Sequence, residues 1–310
     1  MGSYQPGLWL AFTALVALLL AVDLGVLNRR PHALGFTEAL RWSGGVVALA
    51  VAFGGVVFWQ EGSRAALEYY AGYLVEVSLS VDNLFVFILI FAYFGVPAEA
   101  RPKVLKWGIF GAIVMRFVMI ALGALLLQRF EWIIWIFGGI LIVTGIRVWT
   151  QKEERIEPEK NPVVRLARRL LPFSAGYDRA RFFTSTVDGR WLATPLLLVL
   201  LLVEWSDLVF AIDSIPAVFG VTRDPFLVFS SNVFAILGLR ALFFVVAGAM
   251  DQFAYLKPGV ALILVFVGFK MALSHWVHLP IGVSLVVIVG TLAGSVGLSV
   301  WRRGTIRRPG

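Results

Sequence analysis

The chain contains no cysteine among its 310 residues. Disulfide bonds, thiol redox chemistry and thiolate capture of soft metals are therefore excluded for its own side chains. Charge is also scarce, because only 15% of the residues are Asp, Glu, Lys or Arg, and no nucleotide-binding motif of useful specificity is present. The missing motif argues against energy coupling by bound ATP. The low charge argues against a soluble protein.

Apolar residues dominate the rest of the composition. They make up 59% of the chain, and the mean hydropathy is +0.86. A helix that spans a membrane needs about 20 mostly apolar residues. Nine segments meet this requirement and predict an all-α polytopic membrane protein with about nine transmembrane helices, at 7–27, 41–60, 70–94, 104–127, 131–149, 192–219, 226–249, 258–275 and 280–301.

The basic residues indicate how these helices are oriented. If the N-terminus is outside, 20 of the 27 Lys and Arg residues lie in segments on the inner side, three lie in outer loops and four lie within helices. This is the distribution that the positive-inside rule describes. We therefore expect the loop at 150–191 and the C-terminus to be cytoplasmic. The net charge of +8 needs no nucleic-acid partner to explain it.

A short sequence motif with two acidic residues, called the acidic phrase below, occurs twice inside the apolar segments. Glu76-Val-Ser-Leu-Ser-Val-Asp82-Asn83 lies in the third predicted helix, and Asp207-Leu-Val-Phe-Ala-Ile-Asp213-Ser214 lies in the sixth. A carboxylate at membrane depth costs roughly 2.5–3.5 kcal/mol on insertion scales, so such residues usually mark an ion or substrate path. One isolated acid–base pair would serve equally well to hold two helices together. Two matched sets favour a pathway.

The phrase belongs to a longer internal repeat. Arg116 of the fourth helix matches Arg240 of the seventh, and Ile140–Arg147 matches Ile263–Lys270, both apolar runs that end in Gly-x-basic. Under the charge-derived topology the third helix runs inward and the sixth outward, so the repeats are inverted. Inverted three-helix repeats with a site near the midplane are a recognised transporter plan.

The repeat also predicts the organisation of the chain. We expect one transmembrane domain, and the only long polar stretch divides it into halves as a cytoplasmic linker that carries a short amphipathic helix on the bilayer surface. The predicted parts are two N-terminal helices (1–69), the first repeat (70–149), the cytoplasmic loop (150–191), the second repeat (192–275), and the ninth helix with its basic cytoplasmic tail (276–310).

The candidate ligands in the two phrases, together with Glu204 three residues before Asp207, would all bind a metal through oxygen. Such ligands suit Mn²⁺, Mg²⁺ or Ca²⁺ better than Zn²⁺ or Cu⁺. Arg116 and Arg240 would balance the acidic charge when the site is empty. No prosthetic group is expected. The predicted metal-binding set is Glu76, Asp82, Asn83, Glu204, Asp207, Asp213 and Ser214.

Helix geometry sets a condition on this site. Residues six apart on a regular helix diverge by about 120°, which would separate Asp82 from Glu76 and Asp213 from Asp207. Serines lie inside the first phrase, and Pro216 follows the second. Since Pro removes a backbone donor, we expect local unwinding that brings the carboxylates together.

At these residues the chain resembles the TerC family of integral membrane proteins, named for tellurium resistance. The resemblance covers most of the chain. It implies a bacterial inner-membrane location, a LysE-superfamily fold and, for several relatives, export of Mn²⁺ from the cytoplasm through acidic transmembrane residues, here Glu76, Asp82, Asn83, Glu204, Asp207 and Asp213. The segments that carry it are Glu76–Phe87, Glu204–Ala217, Ser231–Arg240 and Asp23-Leu-Gly-Val-Leu-Asn.

Together these observations predict a secondary exporter of Mn²⁺ rather than an enzyme. Its expected partners are the lipid bilayer and the divalent cation, and the sequence identifies no partner protein. Proton coupling is expected because protons and metal compete for the same oxygens, with Glu204 as the proton carrier. Two alternatives stay open: an exporter of another small solute such as an amino acid, and a non-transporting partner that assists assembly of a stress-resistance complex through the long inner loop.

Overall fold

The computed structural model describes residues 6–21, 36–130, 132–150, 161–185, 189–247, 255–273 and 280–306. Within these ranges five helices, α2, α3, α4, α6 and α9, contain segments long and apolar enough to cross a membrane, and α1, α7 and α8 are shorter apolar helices. The prediction of an all-α polytopic membrane protein is confirmed. The elements are α1 (Pro6–Ala21), α2 (Phe36–Tyr93), α3 (Arg101–Arg129), α4 (Ile133–Thr150), α5 (Pro162–Leu170), β1 (Phe183–Ser185), β2 (Trp191–Ala193), α6 (Pro195–Phe219), α7 (Pro225–Ala247), α8 (Leu256–Ala272) and α9 (Ile281–Ile306).

Helix α2 is a helical hairpin. Gly62, at φ 86°, interrupts the helical backbone. The Tyr69 hydroxyl donates to the carbonyl oxygen of Ala50 at 3.1 Å, which an unbroken helix would hold far out of reach. The predicted spans 41–60 and 70–94 are therefore two antiparallel arms, a first arm (36–61) and a second arm (63–93), joined at one residue.

Gly62 offers a test of this turn. The Gly62→Ala variant is expected to lose about 1–2 kcal/mol of stability, because a Cβ is strained at positive φ. The space around the residue is open, so only the backbone conformation is at issue. Gly55→Ala, in the helical first arm and also in open space, is the matched control, and it is expected to gain up to about 1 kcal/mol. Thermal unfolding of both variants in detergent measures the difference, and equal losses would contradict the turn.

The helices pack in three principal pairs, α2 with α7, α3 with α6, and α4 with α8. Backbones approach most closely between α4 and α8. A Cβ on Gly138 would lie 2.9 Å from the Gly268 carbonyl oxygen, and a Cβ on Gly268 would lie 2.8 Å from that of Gly138. Small residues permit such contact between membrane helices, where dispersion forces rather than the hydrophobic effect hold helices together.

Residues 161–185 and 189–194 form a cap over one end of the bundle. The Asn161 side chain caps α5 by accepting from the Val163 amide at 2.9 Å, and β1 pairs with β2 in antiparallel register. The Tyr177 hydroxyl donates to the Phe94 carbonyl oxygen at 2.8 Å, and burial raises its pKa. The cap therefore lies where α2 ends and α3 and α6 begin, and we call this end the loop end. The predicted short helix is present as α5, and its placement on a bilayer stays a prediction.

At the opposite end, the far end, side chains join the second arm of α2 to the turn between α6 and α7. The Thr222 hydroxyl donates to a carboxylate oxygen of Glu68 at 2.6 Å. Asp224 accepts from the amides of Phe226 and Leu227 at the start of α7. Burial raises the pKa of Asp224, although these two amide hydrogen bonds act in the opposite direction.

Candidate functional site

Arg116 is the largest fully buried side chain among the residues that the structure describes, with 1% of its surface exposed. It lies near the middle of α3, fifteen residues after Arg101 and thirteen before Arg129. A guanidinium stays charged in proteins and carries five N–H donors. Its burial is tolerable only if carboxylates and other acceptors surround it.

The acceptors come from three other helices. Nε and Nη2 of Arg116 donate to the two carboxylate oxygens of Asp207 in α6, at 3.4 and 3.2 Å, in the forked geometry that arginine and carboxylate favour. Nη1 donates to Glu76 Oε1 in the second arm of α2, to Asn232 Oδ1 in α7 at 3.2 Å, and to Ser214 Oγ in α6 at 3.4 Å. We call these five residues the Arg116 cluster.

The cluster lies halfway along the helices. Asp207 is twelve residues from each end of α6, which corresponds to roughly 18 Å of helix on either side at 1.5 Å per residue. Glu76 is fully buried, and Asp207 is 3% exposed. The ionic groups are therefore as far from both ends of α6 as that helix permits.

The Arg116 cluster has unequal numbers of positive and negative charges, and some of its polar atoms lack hydrogen-bond partners. Two carboxylates face one guanidinium, which leaves one negative charge when both are ionised. Within the cluster, Glu76 Oε2 and Asn232 Nδ2 are buried without a hydrogen-bond partner among the described residues, and so is Ser80 Oγ, one turn after Glu76 in α2. An unpaired buried polar atom costs about 1–3 kcal/mol. The leftover oxygens on Glu76 and Ser80 are of the kind that hard cations bind.

Asp213 lies apart from this cluster. Its Oδ1 accepts from the Thr144 hydroxyl of α4 at 2.8 Å, and its side chain is half-buried. Because α6 remains helical from Asp207 to Asp213, the six intervening steps turn the second carboxylate toward a different neighbouring helix.

The predicted local unwinding is wrong. Helix α6 runs without a break to Phe219, and the only non-helical residue within α2 is Gly62. Pro216 stands in the last turn of α6, where the single lost bond does not end the helix, and the Gly220 amide still bonds to the Pro216 carbonyl. The Ser78 hydroxyl bonds to the Leu74 carbonyl one turn back, inside the regular helix.

Glu204 lies one turn before Asp207 and, with it, lines a narrow cavity. The carboxylate of Glu204 abuts Gly111 of α3. The other lining residues are apolar: Phe87, Leu105, Gly108, Ile109, Ala112, Val203, Ile236 and Leu239. Glu204 thus lies beside the Arg116 cluster, in the cavity next to Asp207, and its predicted role as a ligand stays a prediction.

The structure thus brings together Arg116, Glu76, Asp207 and Ser214, places Glu204 in the adjoining cavity and places Asp213 apart, beside α4. Asn83 is buried, whereas the side chains of Asp82 and Arg240 lie outside those that the structure describes. Within the described ranges, no group of three or more His, Cys, Asp or Glu side chains is placed to hold a metal ion. The carboxylates are distributed along the helices in this conformation.

Two residues that take part in these polar contacts were not among the predicted site residues. Asn232 accepts a hydrogen bond from Arg116, and Thr144 donates one to Asp213. Both carry a signal, since each is a polar residue inside an apolar helix. Asn232 also follows two serines, Ser230 and Ser231, which are fully buried.

Fold and site together define a polytopic helical membrane protein with an ionic cluster buried midway along its helices. The chain belongs to the integral membrane protein TerC family, whose profile matches residues 61–306. It is 51% identical over 296 residues to the "Uncharacterized membrane protein STKORF319" of Myxococcus xanthus, covering 96% of this chain and 92% of that protein.

Two further relatives carry more specific names. The "Putative membrane-bound redox modulator Alx" of Escherichia coli K12 is 44% identical over 305 residues, covering 96% of this chain and 95% of that protein. The "Thylakoid membrane protein TERC, chloroplastic" of Arabidopsis thaliana is 45% identical over 260 residues, covering 84% of this chain and 67% of that protein. No solved structure matches the chain significantly.

Proposed function

We propose that this protein is a secondary transporter that exports a divalent cation, foremost Mn²⁺, from the cytoplasm. The observation that carries the proposal is the Arg116 cluster, in which two fully or nearly fully buried carboxylates share one guanidinium at mid-depth. Ionisable residues at that depth usually belong to an ion or substrate pathway. The donors are oxygens throughout, which favours a hard cation.

Arg116 acts in this proposal as an internal cation that holds the empty site together. Both oxygens of Asp207 are occupied by its guanidinium, so a divalent ion can gain Asp207 only when the guanidinium moves away. The ion would then be held by Glu76, Asp207, Ser214 and the Asn232 carbonyl oxygen, a set of oxygen donors typical of Mn²⁺ or Mg²⁺. Protons compete for the same carboxylates, so protonation promotes release.

Asp213 and its repeat counterpart Asp82 supply the test. Asp213→Asn and Asp82→Asn are each expected to reduce Mn²⁺ flux by about tenfold or more, equivalent to about 1.4 kcal/mol, because each loses a charge that attracts the ion. At Asp213 the amide oxygen can still accept from Thr144, so the fold is expected to persist. The measurement is Mn²⁺ flux in proteoliposomes under an imposed pH gradient.

The matched control is Asp178→Asn, the same chemical change in the cap, where the carboxylate accepts from Thr184. Its flux is expected to equal that of the unmodified protein. Normal flux in both the Asp213 and the Asp82 variants would reject the pathway, and competition by amino acids instead of metal ions would favour a different solute.

A second candidate, an assembly or stress-resistance partner, is favoured by the surface of the cap. Trp191 is 72% exposed and Phe183 is 47% exposed. The strand register puts both on one face of the hairpin, since Trp191 pairs with Ser185, two residues from Phe183. Exposed aromatic residues are frequent in protein interfaces. A Phe183→Ser/Trp191→Ser double variant that keeps full Mn²⁺ flux but no longer supports stress resistance of the cell would support this role.

The name of the relative Alx refers to redox modulation, and the composition of this chain limits how it could take part in such a process. With no cysteine present, the chain cannot act through thiol–disulfide exchange of its own. A redox effect of this protein would have to be indirect, for instance through the cation that it moves.

A further inference from the structure

The cavity beside Glu204 lies on one side of the Arg116 cluster. Along α6, Val203 and Glu204 precede Asp207, and along α3 the lining segment 105–112 precedes Arg116. Both helices begin at the loop end. The cavity therefore extends from Asp207 toward the loop end of the bundle.

The opposite side of the cluster is filled. Toward the far end, Ile215 and Phe219 of α6 are buried against α3. The fit is close, because a Cβ on Gly123 would lie 2.9 Å from a ring carbon of Phe219. Asp207 thus faces the narrow cavity in one direction and packed apolar side chains in the other.

Glu204 is the polar residue of the cavity wall whose carboxylate is not paired with any described side chain. Asp207 is paired with Arg116, and the remaining lining residues are apolar. The described side chains give Glu204 neither a hydrogen-bond partner nor an ion-pair partner. A half-buried carboxylate in apolar walls is unfavourable unless something binds it. Its position therefore points to a ligand that enters the cavity.

The glycine at position 111 makes this arrangement possible. A Cβ built there would overlap the whole carboxylate group of Glu204, with both oxygens and the carboxyl carbon affected. Any other residue at this position would displace the carboxylate. Gly139, in α4, has open space around it and makes no comparable demand.

We propose that this cavity is the access site through which the divalent cation reaches the Arg116 cluster from the loop end, with Glu204 as its first ligand and Gly111 providing the room. The inference rests on the proposed transport function. Glu204 and Asp207 are three residues apart on α6, about 4.5 Å along the axis, so an ion held by the first carboxylate is one step from the second.

Thiol labelling tests the access route without depending on transport. Because the chain has no cysteine, a Leu239→Cys variant presents a single thiol in the cavity wall. We expect a small, charged, membrane-impermeant methanethiosulfonate reagent to label it from the side that the cap faces and Mn²⁺ to slow the labelling. Leu264→Cys, buried in α8 in a separate core cluster, is the control and should stay unlabelled. Labelling only from the other side, or from neither, would overturn the proposal.

Two variants test the roles of Glu204 and Gly111. Glu204→Gln, combined with Leu239→Cys, is expected to abolish the protection of the introduced thiol by Mn²⁺. Gly111→Ala is expected to raise the Mn²⁺ concentration for half-maximal flux by about tenfold while maximal flux changes little. Gly139→Ala is the matched control and should change neither quantity. Should Gly111→Ala fail to fold, Glu204→Gln alone decides the question.

The outcomes separate the two proposals. Normal Mn²⁺ flux with unchanged half-maximal concentration and unchanged protection in the Glu204 variant overturns the access site and leaves the transport function standing. Absence of Mn²⁺ flux in the unmodified protein, together with absence of Mn²⁺ protection of the thiol in Leu239→Cys, overturns both. Protection without flux upholds the binding site and rejects transport.

Discussion

Replacing Arg116 by Met should destabilise the protein by about 3–5 kcal/mol, the typical cost of removing one partner of a buried ion pair. The guanidinium is 1% exposed and serves both Glu76 and Asp207. Without it, two carboxylates are left in the apolar interior with no counter-charge. Loss of monodisperse protein on heating in detergent, compared with the unmodified chain, measures the effect.

Two further variants serve as controls for the Arg116→Met result. Arg129→Met removes an exposed arginine from the end of the same helix and should change stability by less than about 0.5 kcal/mol. The triple variant Arg116→Met, Glu76→Gln and Asp207→Asn removes all three charges and should recover most of the lost stability while lacking Mn²⁺ flux. If the Arg116 variant is as stable as the Arg129 variant, the cluster is not the ionic centre described above.

Placing Leu at Gly138 should cost about 3 kcal/mol, at the upper end of the usual penalty for overpacking. Even a Cβ at this position would meet the Gly268 carbonyl oxygen at 2.9 Å and an Ala272 backbone nitrogen at 3.0 Å. Backbone atoms cannot rotate aside as a side chain does, so α4 and α8 would have to separate. Thermal unfolding in detergent again provides the measurement.

The neighbouring residue supplies a sharp control. Gly139→Leu makes the same chemical change one position along the same helix, where no atom lies within 4 Å of the added Cβ. It should alter stability by no more than about 0.5 kcal/mol. Equal losses at both positions would show that leucine is tolerated no better in open space and would contradict the close contact of the two backbones.

The helices were largely predictable because hydropathy reports membrane burial directly. The sixth predicted span, 192–219, corresponds to α6 at Pro195–Phe219. The tight join at Gly62 was not predicted. Polar residues such as Glu61 and Arg64 interrupt the apolar pattern there, so the sequence indicated only that one span ends and another begins. Those residues are nevertheless good helix formers, and only the backbone angle at Gly62 marks the turn.

The candidate site was predictable in composition but not in geometry. The sequence singled out Arg116, Glu76 and Asp207 because charge is rare in apolar segments. It contained no information on which helix Arg116 would contact, because its partners Asp207 and Asn232 lie 91 and 116 residues away. Asp213 diverges from Asp207 as ordinary helix periodicity requires, and the inverted repeat stays a prediction.

The glycine contact between α4 and α8 restricts which parts of the molecule can shift during a cycle of substrate movement. Where α4 and α8 meet through carbonyl oxygens and glycine Cα atoms, at Gly138 and Gly268, little side-chain material lies between the backbones to absorb sliding. These two helices should travel as one stiff frame. The α3–α6 boundary instead meets through longer side chains, Glu204 on Gly111 and Phe219 on Gly123, and should shift more easily than the glycine contact of α4 with α8.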